Sequence, residues 1–443
     1  MGSSALMENR AKFLPEPRVG VAWDPRGAGK TSIRAGFGLH HSLLDNLDYR
    51  LDQAAPFNTT LTLANVAVSS LNITPSTAAP AGSLISPSNV QTDIDTPAVL
   101  SWSLHIEQQI AANISLTVGY VGSHGYHQIL SEDQNEPTPV VCPNPACPAG
   151  LGAGTLYFSG TVKANPNVAN TTSWVSKGIS NYHGLEVDVR RSFARGLEFR
   201  GNYTFSKNLD NGSAWNTSVS ANTPAFVTYP AQPHLDYGPA ATDIRHLVAI
   251  NGIYDLPFGE GHGIGSDLSG VAGRAVSGWT LSAIVALQSG FPFSPQLGYN
   301  PTGSGDTRNP VRPNLNPDFR GNLYPGTPQQ FFNPAAFTAP AYGTLGNLGR
   351  DTLTGPGLAN LDVSLLKVTQ LGERVRAQFR AEFFNVLNHT NLATPNPVVF
   401  SSGPSQGSAA NQTAAAVASP TAGVITATAT TSRQIQLGLK LLF

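Results

Sequence analysis

Apolar and polar residues alternate along the last stretch of the chain, Arg433 to Phe443. Ile435, Leu437, Leu439, Leu441 and Phe443 share one parity; Gln434, Gln436, Gly438 and Lys440 share the other. Side chains leave a strand on alternate faces, so this stretch predicts a strand with one greasy and one wet face. The pattern recurs upstream. Val19, Val21 and Trp23 share a face of Arg18 to Asp24. From Thr31, Ile33, Ala35, Phe37 and Leu39 alternate with Ser32, Arg34, Gly36, Gly38 and His40. Trp102, Leu104, Ile106 and Ile110 alternate with Ser103, His105, Glu107 and Gln109, and Leu116, Val118 and Tyr120 follow the turn Ala112-Asn113. Leu185, Val187 and Val189 oppose Glu186, Asp188 and Arg190. Past Ala194-Arg195-Gly196, Leu197, Phe199, Tyr203 and Phe205 oppose Glu198, Arg200, Asn202 and Thr204. Strands around Val248, Trp279 and Leu361 continue the series; Leu247 and Ile253 blur the first of them. In the clearest, Val375, Ala377, Phe379, Ala381 and Phe383 face one way and Arg376, Gln378, Arg380 and Glu382 the other.

These are eleven strands, each near the roughly nine to eleven residues that a tilted membrane strand needs. Short or Gly-rich connections alternate with long ones. The long ones run from about 43 to 99, 125 to 180, 207 to 243, 289 to 358 and 388 to 432. Outer-membrane barrels show this rhythm, with tight periplasmic turns and long outer loops. Counting back from a periplasmic C-terminus puts every long segment outside. Trp23, Phe193, Trp279 and Phe443 then fall at inner strand ends, and Trp102, Tyr120, Phe205 and Phe383 toward outer ones, as two aromatic girdles require. The expected fold is all-β: an antiparallel transmembrane β-barrel, here a partial, open sheet of about eleven strands, with residues 1–14 a disordered or truncated start and 15–443 the barrel part. The last long segment, rich in Ala, Ser and Thr, is expected to be mobile. A soluble sandwich or propeller would also alternate. It would not need loops of roughly 40 to 70 residues, nor ordered rows of charge.

Composition narrows the chemistry. Charged residues are 12% of the 443, about half the usual share, while 44 Gly and 34 Pro signal many turns. The net charge of -1 gives no electrostatic footprint for nucleic acid. Mean hydropathy is -0.10 and no apolar run is long enough for a membrane helix; barrel strands hide their lipid face by alternation. Cys142 and Cys147 lie in a Pro-rich outer segment and could close a small disulfide loop, or stay as two thiols. The turn Gly27-Ala28-Gly29-Lys30-Thr31 suggests a phosphate loop, but Asp24 stands where that motif needs Gly, and a strand follows instead of a helix. A hairpin turn is the better reading. The ten histidines do not cluster at ligand spacing, and no Gly-x-Ser-x-Gly elbow is present, so neither metal, cofactor nor catalytic residues are expected. An outer-membrane hydrolase stays a minor alternative.

The candidate chemistry is therefore the polar face: Arg34, Glu107, Glu186, Asp188, Arg190, Glu198, Arg200, Arg376, Arg380 and Glu382 are expected to face the lumen. Arg190 and Glu198 can approach diagonally across their hairpin. These charges either contact solute or plug, or brace the wall as a salt-bridged lattice; the second is the simpler expectation.

Several motifs carry a family likeness. Pro17 to Pro25 reads P-R-V-G-V-A-W-D-P, Gly119 to Gly125 reads G-Y-V-G-S-H-G, and Gly196 to Lys207 reads G-L-E-F-R-G-N-Y-T-F-S-K. Then come D-I-R-H at Asp243 to His246, Y-D-L-P-F-G at Tyr254 to Gly259, G-N-L-G-R-D-T-L-T-G-P-G at Gly346 to Gly357, and R-A-E-F-F-N-V-L-N-H at Arg380 to His389. Together these resemble the C-terminal barrel of TonB-dependent, Oar-like outer-membrane receptors, the acidobacterial type with a carboxypeptidase-regulatory-like N-terminal domain. The resemblance implies energy-coupled import of a bulky solute through a barrel of about 22 strands filled by a plug. It also implies outer-membrane lipid and the barrel assembly machinery as partners, with the terminal Phe443 as the assembly signal. Plug domain and TonB are expected as partners only in a full-length form. No secretion signal, plug or TonB-binding segment is seen in the sequence, so a longer precursor, or a mis-started frame, is expected. A surface-exposed structural or adhesion barrel, or a non-functional fragment, is the alternative.

Overall fold

The computed structural model describes residues 10–43, 84, 86–160, 162–213, 226–259, 263–304, 306, 308, 311–372, 374–405 and 408–443. Of the expected disordered start, residues 1–9 lie outside the described residues; Arg10 pairs with Asp95 at 3.0 Å.

Eleven strands follow one another in a single sheet, each paired antiparallel with its sequence neighbours. They are β1 (Arg18–Trp23), β2 (Thr31–His41), β3 (Ala98–Ala111), β4 (Ile114–Glu132), β5 (Thr172–Ala194) and β6 (Leu197–Asp210). Then come β7 (His246–Asp255), β8 (Trp279–Gln288), β9 (Leu358–Gln370), β10 (Arg376–Phe384) and β11 (Gln434–Leu442). Two short strands, Ser88–Val90 and Gly238–Pro239, join the same sheet off this path. Among the described residues the sheet does not close: β1 and β11 each pair on one side only. The eleven strands expected from the alternation are these eleven.

Turn chemistry explains the short connections. Arg195 and Gly196 both take positive φ, 52° and 76°, the handedness that a two-residue hairpin needs to match strand twist. In the β1–β2 turn, Asp24 accepts hydrogen bonds from the amides of Arg26, Gly27 and Gly29 at 3.2, 3.1 and 2.7 Å. The aspartate that breaks the phosphate-loop motif is the one that builds the turn. Those bonds, the Gly29 amide first, hold its carboxyl below the usual range.

Register keeps the two faces apart from edge to edge. On one face Trp23 lies opposite Ile33, Ile33 opposite Ile106, Ile106 opposite Val118, and Val118 opposite Val187. Val248 opposes Leu287, and Phe379 opposes Leu439. Val21, Leu104, Ile106, Leu185, Ile250, Leu437 and Leu439 are all exposed there, so nothing among the described residues covers this apolar face. Glycines of the G-Y-V-G motif let large neighbours lie across β4: a Cβ at Gly122 would strike the Trp102 ring and one at Gly119 the His105 ring.

The core lies outside the sheet wall, in the long connections. Phe293, Leu297, Phe332, Phe337, Leu348, Leu353 and Val399 are buried together. Val399 belongs to the segment from 388 to 432, which was expected to be mobile. That segment instead forms a strand, Val398–Ser402, paired to Gln296–Leu297 and Val417–Ala418, and buries Ala422 and Ile425. Val399 joins the buried cluster and Phe400 packs against it, a contact that composition does not reveal. Strands β4 and β5 also run further outward than the alternation suggested, to Glu132 and back from Thr172, because their outer ends pair with each other.

Candidate functional site

The ten candidate charges all have the parity of the polar face. Arg34 opposes His105, which opposes Gly119, which opposes Glu186. One layer along, Glu107 opposes Thr117, which opposes Asp188. Glu198 lies opposite Ile253, Glu382 opposite Gln436, and Arg380 opposite Gly438. The register brings several into pairs. Arg200 Nε donates to Asp188 at 2.7 Å, and Asn202 donates to the same carboxylate. Arg34 stands 4.0 Å from Glu107, His105 3.5 Å from Glu186, and Arg380 3.7 Å from Glu382.

The register puts Glu198 diagonally across the hairpin from Arg190, and no ion pair forms between them. Arg190 lies directly opposite Arg200. Like charges at that spacing repel, and Arg200 pairs with Asp188, its diagonal neighbour one layer along. Arg190, Glu198 and Arg200 still border one open cleft with Asn251 and Ile284. Arg376 sits opposite Leu442 and Gln370 at the short-turn end, away from this cluster.

A second cluster escaped sequence reasoning. Of the four arginines in the connection from 289 to 357, three are each placed on a carboxylate of another segment. Arg308 ion-pairs Asp306 at 2.7 Å and Asp133 at 3.3 Å, with its guanidinium 4.1 Å from the Phe226 ring centre. Arg312 donates to Asp236 at 2.8 Å and to the Leu235 carbonyl at 3.0 Å. Arg350, fully buried, donates to the Asp210 carboxylate and carbonyl and to the Ser213 carbonyl. Arg350 lies inside the quoted G-N-L-G-R-D-T motif, so the motif was visible and its partner was not. Gly346 of that motif packs where a Cβ would strike the carbonyls of Arg312 and Pro313. The long connections at this end of the sheet are thus bolted into a cap. Cys142 and Cys147 are disulfide-bonded within it, beside the paired strands Val140–Val141 and Leu156–Tyr157.

Acids in the cap titrate abnormally. Burial, with the carboxylates of Asp306 and Asp133 nearby, pushes Glu136 up to about 9. Burial pushes Asp351 up to about 6, against the opposing pull of Arg350. Among the described residues no group of three His, Cys, Asp or Glu is placed to hold a metal ion.

An apolar face open to its surroundings, a polar face carrying paired charge, and tight turns opposite a capped end define an outer-membrane β-barrel wall. The chain belongs to the outer membrane beta-barrel domain family, whose profile matches residues 2–436. It is located in the outer membrane accordingly. No curated protein matches the chain. Among solved structures it is similar to the outer membrane transporter YddB from Escherichia coli, at 11% identity and a TM-score of 0.46, covering 96% of this chain and 40% of that one. It is also similar to the FrpB iron transporter from Neisseria meningitidis, at 10% identity, a TM-score of 0.41, and 96% and 39% coverage. The ferric enterobactin receptor PfeA from Pseudomonas aeruginosa gives 10% identity, a TM-score of 0.43, and 96% and 40% coverage. The chain spans about two-fifths of the length of these structures.

Proposed function

We propose that this chain is the C-terminal barrel portion of a TonB-dependent, Oar-like outer-membrane receptor that imports a bulky solute. The observation that carries the reading is the two-faced sheet. Exposed apolar residues line one side from β1 to β11, and paired charges line the other, in a chain of the outer-membrane barrel family. In the proposed receptor the apolar face meets outer-membrane lipid and the polar face the lumen, so Arg34, Glu107, Glu186, Asp188, Arg190, Glu198, Arg200, Arg376, Arg380 and Glu382 line the passage. The ion pairs give seven of these ten charges a bracing role; Arg190, Glu198 and Arg376, which make none of them, are the ones left to meet solute or plug. A plug domain and TonB belong to the full-length protein, and Phe443 is read by the barrel assembly machinery. No step of the proposed function is catalytic.

Uptake by cells carrying the full-length receptor tests this, across a panel of ferric siderophores, oligosaccharides and peptides. The reading requires one solute whose entry needs both the receptor and TonB; entry of none in a TonB-dependent way sinks it. With that solute, Arg190→Glu should lower uptake about tenfold while surface level and folding stay normal. A surface-adhesion barrel is the second reading, favoured by the bolted outer cap. It predicts cell-surface binding that survives loss of TonB.

A further inference from the structure

In the outer cap, residues 133–136 and 162–171 are tied together by side chains rather than by strand pairing. The Asn135 side-chain amide donates to the carbonyls of Asn165, Val168 and Ala169 at 3.0, 3.0 and 2.9 Å, and its Oδ1 accepts from the Asn165 amide at 2.7 Å. Asp133 accepts from the Thr171 amide and hydroxyl at 2.8 and 2.9 Å. The chain between them is bent back on itself, and its ends meet: Lys163 Nζ donates to Asn170 Oδ1. That oxygen is only about 1.2 Å from the side-chain amide carbon. The amine therefore also stands beside the carbon, in the range of roughly 3.5 Å from which attack proceeds.

Glu136 completes the group. Its carboxyl lies in the field of Lys163, Arg308, Asp133 and Asp306. Arg308 is taken by Asp306 and Asp133, at 2.7 and 3.3 Å, while Glu136 makes no ion pair among the described residues. Tyr229, whose hydroxyl feels the Glu136 charge, packs edge-on against the buried Phe158 ring at 5.9 Å. Burial first, and then the two aspartates, keep the Glu136 carboxyl protonated at neutral pH. An amine, an amide and a protonated acid held together are the three groups that amide exchange needs. A lysine that only braced the loop would need the first two alone.

We propose that Lys163 and Asn170 close an isopeptide bond, with Glu136 as the proton carrier. Glu136 donates its proton to the Asn170 side-chain oxygen, which makes the amide carbon more electrophilic. Lys163 Nζ attacks that carbon, and its surplus proton passes through Glu136 to the amide nitrogen. The bond from Cγ to Nδ2 breaks, the bond from Cγ to Nζ replaces it, and ammonia leaves. A lysine that starts as ammonium yields ammonium, Glu136 ends as it began, and no oxidant, reductant or cofactor is consumed. The product ties residues 163–170 into a ring that reduction cannot open, unlike the Cys142–Cys147 loop of the same cap. This self-modification is independent of any transport role.

Full-length protein purified from outer membranes is digested with chymotrypsin, which releases residues 159–174 as one peptide. Its mass should fall short of the sequence mass by one ammonia, and fragmentation should give no backbone products cut between Lys163 and Asn170. Lys163→Arg should restore the full mass. Glu136→Gln should slow closure about a hundredfold, read as the lighter fraction against time after a pulse of synthesis. A wild-type peptide of full mass overturns the proposal. So does ammonia loss that persists in Lys163→Arg, which marks a cyclic imide at Asn170 instead. Closure at the wild-type rate in Glu136→Gln overturns the role given to Glu136. Should either variant fail to assemble, the wild-type mass and fragment pattern decide alone.

Discussion

Arg350 lies fully buried with its guanidinium on Asp210, so removing either partner strands a charge out of water. Breaking a buried pair in this way costs about 3–5 kcal/mol. Arg350→Met should therefore open the cap, read as lost hydrogen-exchange protection in residues 289–357, while the strand amides of β8 and β9 stay protected. The exposed Asp188–Arg200 pair behaves differently. Arg200→Gln should change stability by less than about 1 kcal/mol, as solvated pairs do. Glu136 adds a pH dependence. Its carboxyl titrates near 9 when folded and near 4.5 when unfolded. Between those values the folded state holds the proton and the unfolded state does not, so cap stability falls as pH rises. Asp351 acts in the same direction between 3.8 and about 6, so the window above about 6 belongs to Glu136 alone of the two. Exchange protection of residues 133–171 should weaken from about pH 6.5 to about pH 8.5, and Glu136→Gln should abolish that slope.

At the scale of elements, period-two alternation was enough to find all eleven wall strands, because a side chain on the wrong face would meet the wrong solvent. Arg376, Gln378, Arg380 and Glu382 could be placed on one face of β10 before any register was known. Pair identity was not legible. Arg190 and Glu198 are diagonal neighbours without an ion pair, while the equally spaced Asp188 and Arg200 form one. The cap was less legible still. Phe293, Phe332 and Val399 are far apart in sequence and lie in no periodic stretch, and Arg312 meets Asp236 across 76 positions. Such contacts follow from chain packing and leave no local pattern. The disulfide spans a separation of 5, and closing so short a loop contributes about 2 kcal/mol on chain entropy. Cys142→Ser/Cys147→Ser should loosen residues 140–157 without disturbing β4 or β5, measured by exchange protection at those amides.

Over the whole molecule, the two faces of the sheet decide everything else. Among the described residues nothing pairs with the outer edges of β1 and β11, and hydrocarbon tolerates no unpaired edge. Residues 1–443 expressed alone should therefore aggregate in detergent and give no heat-resistant compact species on gels. The central claim is that the apolar face touches lipid and the polar face the lumen. Single cysteines carrying a fluorescent probe, placed in the full-length protein in membranes with bromine-labelled acyl chains, test it directly. Leu281, Leu365 and Leu437 on one face are compared with their neighbours Ser282, Ser364 and Gln436 on the other. The account predicts strong quenching at the three leucine sites and little at the polar three. Equal quenching at both sets, or the reverse order, would contradict it.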